Sequence, residues 1–329
     1  MISGAPHHLE KGITMQTLEK YQPFIIMAAV FIGLMIGGVP VIQMYAGIFI
    51  IPFLMAMLFG LFMMMPFGSI VLSFKKVRFF WTSLIINFVW TPILAYGIGA
   101  VLLSDRPVLW IGFVMLMVTP CTDWYLVFTE VAKGNTALST SLLPVNLVIQ
   151  IVLLPLYLYL FFGTYETVGM GDILRSILFV LVVPTVLASA AKLFFTGRRK
   201  NITEEKIFPF FGQSNIIFLA LAVMAMFASE REALTGNPGI VLLLLVPILL
   251  FFLVTFFMSS LAGRLMKFGR DDTVSPIMTT MARNSPIALS IAATAFAHEP
   301  LLALVLVIGP LIELPVLSVT ARKLISSNR

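Results

Sequence analysis

Val118-Thr119-Pro120-Cys121-Thr122-Asp123-Trp124 lies inside a hydrophobic run long enough to cross a membrane, yet it holds a proline, the chain's only cysteine and a carboxylate. A second interruption, Met281-Ala282-Arg283-Asn284-Ser285-Pro286, sits inside a later apolar run. A proline lacks an N–H and its ring clashes with the preceding turn, so Pro120 and Pro286 should each break or kink a helix. Backbone groups freed in this way survive in a bilayer only where they are buried in protein or line a cavity. The two stretches therefore predict paired helix breaks at the working centre of a membrane protein.

The wider composition requires the membrane. Of 329 residues, 60% are hydrophobic and only 11% charged, and the mean hydropathy is +1.04. A soluble domain carries roughly 25% charged residues. Runs of apolar residues recur from end to end, so lipid is the solvent for most of the chain. The net charge of +6 does not indicate nucleic acid. The basic residues fall in short gaps between apolar runs, where they orient a membrane protein. One cysteine excludes an internal disulfide framework and a cysteine-rich metal cage. The 19 methionines are apolar packing.

Ten spans fit the pattern, at about 22–39, 46–67, 79–103, 107–132, 136–162, 172–195, 207–228, 239–263, 273–297 and 300–321. The broken spans are the fourth and ninth. Lys and Arg alternate across the gaps: 17 fall on the side of the two termini, three (Arg106, Arg175, Arg231) on the other, and Arg283 lies within span 9. This bias places both termini in the cytoplasm of a multi-pass plasma-membrane protein. Residues 1–21 form an N-terminal tail and 322–329 a C-terminal one. Residues 22–162 and 163–321 each contain five spans, and an odd number per half requires the second half to be inverted. The spacing carries an echo of this duplication. Cys121 precedes Gln150 by 29 residues, and Asn284 precedes Glu313 by 29.

Several polar residues are out of place in lipid. Asp123 at mid-membrane costs about 3 kcal/mol on insertion scales. It is either a protonated structural carboxyl or a proton- or cation-responsive group. Arg283 cannot lose its charge and lies too far from either end to snorkel, so it needs a buried anion. Asp123, Glu313 and an anionic substrate are the candidates, and crossed broken helices favour Asp123. Cys121 is either a small packing residue or a thiol exposed at an opened helix end. Thr122, Asn284 and Ser285 flank the breaks. Asn146 and Gln150, four residues apart, share one helix face. They either join helices through hydrogen bonds or line the same cavity. No phosphate-binding glycine loop is present, nor a Ser/His/Asp or zinc-spaced His set. Transport, if any, is secondary or passive, and neither an enzyme activity nor a cofactor is expected.

The Pro120-Cys121-Thr122 break, the segment Glu130-Val131-Ala132-Lys133-Gly134-Asn135 and the segment Gly309-Pro310-Leu311-Ile312-Glu313-Leu314-Pro315-Val316 resemble the arsenical-resistance (arsenite efflux) permeases of the bile acid:sodium symporter superfamily. The resemblance implies an all-α integral membrane fold of ten helices in two inverted five-helix repeats. Spans 1, 2, 6 and 7 would form a panel, and spans 3–5 and 8–10 a core in which broken spans 4 and 9 cross. It implies export of trivalent arsenic, with antimony as a second cargo, and Cys121 as the thiol contacting arsenic. The superfamily carries a glutamate just after the second break, expected to hold a coupling cation. Here Pro286 stands at that position with Arg283 nearby. Sodium coupling then gives way to proton coupling, with Asp123 as the proton-responsive group. The competing reading is sodium- or proton-coupled transport of an organic anion, with Arg283 binding its carboxylate.

Overall fold

The computed structural model describes residues 21, 24–64, 76–121, 124–163, 170–202, 208–236 and 239–326. Thr122 and Asp123 lie outside them, as do most of the two terminal tails. The described residues are helical, and their only strand-like pairing is a single bridge between Pro120 and Arg283. In chain order the helices are α1 (Phe24–Ile36), α2 (Pro40–Met64), α3 (Val77–Leu102), α4 (Pro107–Met117), α5 (Trp124–Val131) and α6 (Thr136–Phe162). They continue with α7 (Met170–Ile177), α8 (Val183–Ile202), α9 (Phe208–Ser229) and α10 (Arg231–Gly236). The last four are α11 (Gly239–Leu265), α12 (Arg270–Met281), α13 (Ser285–Ala295) and α14 (Pro300–Ser326).

Among the described residues, six helical stretches are long and apolar enough to cross a bilayer: α2, α3, α6, Leu174–Phe195, α11 and α14. A 27-residue helix such as α6 is about 40 Å long, against a hydrocarbon core of about 30 Å. Four further apolar stretches are shorter, among them α4 and α13. The 11 residues of α4 reach only about 16 Å, so α4 goes about halfway. Large side chains such as Phe24, Met35, Val101 and Leu193 stand exposed, as lipid-facing residues do. This is an integral membrane protein.

The chain divides into two compact units, each drawing on both halves of the sequence. The first comprises the described parts of residues 1–64 and 178–235. Within it α1 lies against α9 at very short range. A Cβ on Gly33 would sit 2.5 Å from the Met224 carbonyl oxygen, and one on Gly37 2.5 Å from that of Ala228. The two glycines are four residues apart, as are their partners, so one small stripe admits one neighbouring backbone.

The second unit comprises the described parts of residues 65–177 and 236–329. Its centre is built on α4 and α14, which pack along each other. Gly112 approaches the Leu302 carbonyl, and Gly309 leaves room for Leu116. One turn beyond Gly309, Glu313 emerges on the same side of α14. Prolines 144 and 155 in α6, 247 in α11, 276 in α12 and 310 and 315 in α14 are all accommodated inside helices.

α3 is irregular at a defined place. Ile86–Trp90 forms a π-helical turn, a local widening that frees carbonyls from the regular ladder and is common at functional sites. Here the freed Phe88 carbonyl accepts a 2.6 Å hydrogen bond from the Tyr157 hydroxyl of α6. Phe79, Phe80, Leu84 and Phe88 then bury with Leu138 and Leu142 of α6. This clamp fixes the orientation of the neighbouring residue, Asn87.

Candidate functional site

Both expected breaks are present, and they meet. α4 ends at Met117 and the chain runs through Val118 to Cys121 without helix. α12 ends at Met281, and Ala282 is extended with φ −73° and ψ 138°. The two segments pair antiparallel with Pro120 opposite Arg283. The Cys121 N–H donates to the Ala282 carbonyl at 3.0 Å, and the Asn284 N–H donates to the Thr119 carbonyl at 2.7 Å. In such a pairing the central residues point their own N–H groups away from the partner strand. Pro120, which has none, therefore suits its position. Thr119 repairs the end of α4: its hydroxyl lies 3.0 Å from both the Met115 and Leu116 carbonyls.

The second break begins at Ala282, four residues before Pro286. Pro286 occupies the first turn of α13, where a missing N–H costs nothing. Asn284 is the N-cap, its Oδ1 accepting from the Ile287 N–H at 3.3 Å. The Ser285 hydroxyl donates to the Leu306 carbonyl of α14. Both residues were expected to touch substrate, and here their side chains hold the break together.

Arg283 is the most consequential residue of the crossing. It is 2% exposed, and its backbone N–H, directed away from Pro120, donates to Glu313 Oε1 at 2.9 Å. Its guanidinium donates from Nη1 to the Met117 carbonyl at 2.8 Å, from Nε to the Met281 carbonyl at 3.3 Å and from Nη2 to Asn87 Oδ1 at 3.4 Å. The guanidinium carbon lies 5.3 Å from the centre of the Phe251 ring. Met117 and Met281 are the last residues of α4 and α12, where unpaired carbonyls and the helix dipoles concentrate negative charge. A charge-assisted hydrogen bond contributes about 1.5–3 kcal/mol and a desolvated cation–π contact about 2 kcal/mol. Together they offset an insertion cost of about 3 kcal/mol for the arginine.

The guanidinium forms no ion pair with a carboxylate among the described residues. It is within electrostatic range of the Glu313 carboxyl and the Cys121 thiol. The expected pairing with Asp123 falls outside the described residues. Cys121 is 2% exposed and sits in the strand of the first break, its position fixed by main-chain bonding.

Asn146 and Gln150 are buried on α6, which packs against α4 and α5. Neither the oxygen nor the nitrogen of either carboxamide has a hydrogen-bond partner among the described residues. Leaving such groups unpaired costs about 1–3 kcal/mol each, so the four atoms are unlike ordinary interhelical glue.

The Gly134-Asn135 pair also has a physical basis. A Cβ on Gly134 would lie 2.6 Å from Val274 Cγ1. Asn135 caps α6 through the Leu138 N–H and donates from Nδ2 to Asp272 Oδ1 at 2.8 Å. Its N–H donates to the Asp271 carbonyl, and its carbonyl accepts from the Ser275 hydroxyl. Asp272 also pairs with Lys76 at 3.1 Å. The loop between α5 and α6 is thereby tied to the first turn of α12.

Sequence reasoning missed Asn87 and Phe251. Asn87 was findable as a polar residue inside the apolar run Leu84-Ile85-Ile86-Asn87-Phe88. Nothing in the sequence marks Phe251 among its phenylalanine neighbours.

Sequence comparison agrees with this architecture. The sequence model of the Sodium Bile acid symporter family matches residues 51–237, more than half of the chain. The arsenical-resistance protein Acr3 of Corynebacterium glutamicum is 25% identical over 328 residues, covering 91% of this chain and 86% of that protein. Acr3 of Alkaliphilus metalliredigens is 23% identical over 336 residues, covering 94% and 92%. The uncharacterized sodium-dependent transporter YocS of Bacillus subtilis is 24% identical over 206 residues, covering 63% and 61%. The resemblance to arsenical-resistance permeases read from the sequence is thus borne out along almost the whole chain.

Proposed function

Because the chain belongs to the Sodium Bile acid symporter family, we propose that it is a secondary transporter that exports trivalent arsenic, as arsenite and antimonite, coupled to protons. It is a multi-pass membrane protein and a transporter rather than an enzyme. The proposal extends to ten spans in two inverted five-helix repeats, 22–162 and 163–321, in the plasma membrane with both termini cytoplasmic. The 17-to-3 charge bias supports that orientation. Six long and four shorter apolar helical stretches among the described residues support the count of ten. No cofactor or nucleic acid enters the mechanism, and the partners are the substrate, the coupling ion and lipid.

The observation that carries the arsenical reading is Cys121 in the paired breaks of a chain similar to two arsenical-resistance proteins over nine-tenths of its length. Trivalent arsenic is thiophilic. One thiol cannot make a three-thiolate trap, so a bound arsenic can leave again. Asn146 and Gln150 supply unpaired buried donors and acceptors for the hydroxyls of such a substrate. Thr122 and Asp123 follow Cys121 directly and complete the proposed site, with Asp123 as the proton-responsive group.

The family description also raises an organic anion as substrate. Arg283 would then hold the carboxylate. Its donors are already directed at Met117, Met281 and Asn87, which favours the arsenical reading. The deciding experiment measures arsenite accumulation in cells lacking their own exporter, with and without this protein and with the proton gradient collapsed. Lower accumulation that depends on the gradient supports the proposal. Unchanged accumulation moves the assignment to an organic anion.

A further inference from the structure

In transporters whose helices break at mid-membrane, coupling cations bind at the carbonyls of unwound segments and at half-helix C-termini. Two such C-termini converge here, at the Met117 and Met281 carbonyls, and both point at one place. Asn87 Oδ1, presented by the π-helical turn of α3, and the face of Phe251 complete its walls. Every one of these partners is an uncharged oxygen or a π-face. That is a donor set for a monovalent cation. Its occupant is the guanidinium of Arg283.

We propose that Arg283 is a tethered cation, which fills the place of a dissociable alkali ion at the crossing, so that the transport cycle binds no sodium there. The inference rests on the chain being a secondary transporter of this family and not on arsenic being its substrate. Three features support it independently of the family. The site is formed by two helix ends that belong to different broken spans, which is the arrangement that makes cation binding responsive to conformation. The guanidinium makes its shortest contact, 2.8 Å, with the end of α4, the half-helix to which it is not covalently linked. And among the described residues the carboxylate that bonds residue 283, Glu313, does so at its backbone N–H, so it orients the residue without forming an ion pair with the guanidinium. A charge that cannot leave has a clear consequence: the protein carries it through every conformation, and alkali-ion gradients have no purchase at this position.

The test uses purified full-length protein and its unfolding temperature in sodium, lithium, potassium and choline chloride at matched ionic strength. The wild-type protein should unfold within about 1 °C in all four salts. Arg283→Ala should acquire a saturable response, with sodium or methylguanidinium at tenfold over its dissociation constant raising the unfolding temperature by about 3 °C. A saturable rise specific to sodium or lithium in the wild-type protein overturns the proposal. So does a folded Arg283→Ala protein that responds to neither cation. If Arg283→Ala gives no folded protein, the wild-type salt series decides alone. Arsenite is absent from every arm, so failure of the arsenical reading leaves this result standing, and the reverse also holds.

Discussion

The carboxylate of Glu313 accepts its hydrogen bond from the backbone N–H of Arg283, at 2.9 Å, and not from the guanidinium. A side chain of α14 thus holds the main chain of the second break and leaves the charge of its arginine to other partners. This makes Glu313 a support of the second break, and it sets the first prediction. Glu313→Gln keeps an amide oxygen able to accept the same bond, and should fold with nearly unchanged thermal stability. Glu313→Leu strands the buried N–H and should lose about 1–3 kcal/mol. Thermal unfolding of the two purified variants side by side distinguishes them. Equal losses would mean that the bond is not what Glu313 contributes.

Cys121 is held by its own N–H to the Ala282 carbonyl, a bond that any residue except proline can make. Cys121→Ser should therefore accumulate in the membrane at wild-type levels while arsenite resistance is abolished. Unaltered resistance in this variant would remove the thiol from the substrate site.

Asn146 and Gln150 carry four buried polar atoms without hydrogen-bond partners among the described residues. Replacing such groups with apolar side chains of similar size is neutral or stabilising. Asn146→Leu and Gln150→Leu should each leave the unfolding temperature unchanged or raise it by a few degrees, about 2–4 °C, while arsenite export falls. A loss of stability would reassign both residues to helix–helix bonding.

Asn135 joins five groups from the start of α6 and the first two turns of α12. Asn135→Ala removes the cap and the bond to Asp272, and should cost about 1–2 kcal/mol. Ser275→Ala, which removes one hydroxyl, should cost less. Chemical or thermal unfolding of both variants gives the order.

Gly33 and Gly37 admit the carbonyls of Met224 and Ala228 at distances no side chain allows. Gly33→Leu should separate α1 from α9 and leave little monodisperse protein on size-exclusion chromatography. A normal elution profile and yield would contradict the close contact.

The helix breaks were legible in the sequence because proline acts locally. Pro120 and Pro286 announce their interruptions whatever surrounds them, and hydropathy outlines the apolar helices around them. The partners of Arg283 were not legible, for a different reason. Met117 and Met281 contribute only main-chain carbonyls, and any residue at those positions would do the same. Asn87 reaches the guanidinium from a widened turn whose Phe88 carbonyl is bonded by Tyr157, 69 residues further along the chain. A buried arginine directs attention to a buried anion, in Asp123, Glu313 or a substrate, whereas the ends of broken helices gather partial negative charge without any acidic residue. Asn284 and Ser285 were selected as substrate contacts for being polar beside a break. The cap and the tie to α14 that they make are equally good uses of the same polarity.

The bridge between Thr119–Cys121 and Ala282–Asn284 is made chiefly of peptide groups, with the Thr119 hydroxyl 3.4 Å from the Asn284 carbonyl beside them. Its two main-chain hydrogen bonds survive exchange of any side chain for another, proline at residues 121 and 284 excepted, so the crossing is a frame on which chemistry can be replaced one position at a time. An arginine at residue 283 alters the ion economy of the protein while leaving the frame intact. Divergence within such a lineage can therefore proceed through altered coupling first, with the path across the membrane inherited unchanged.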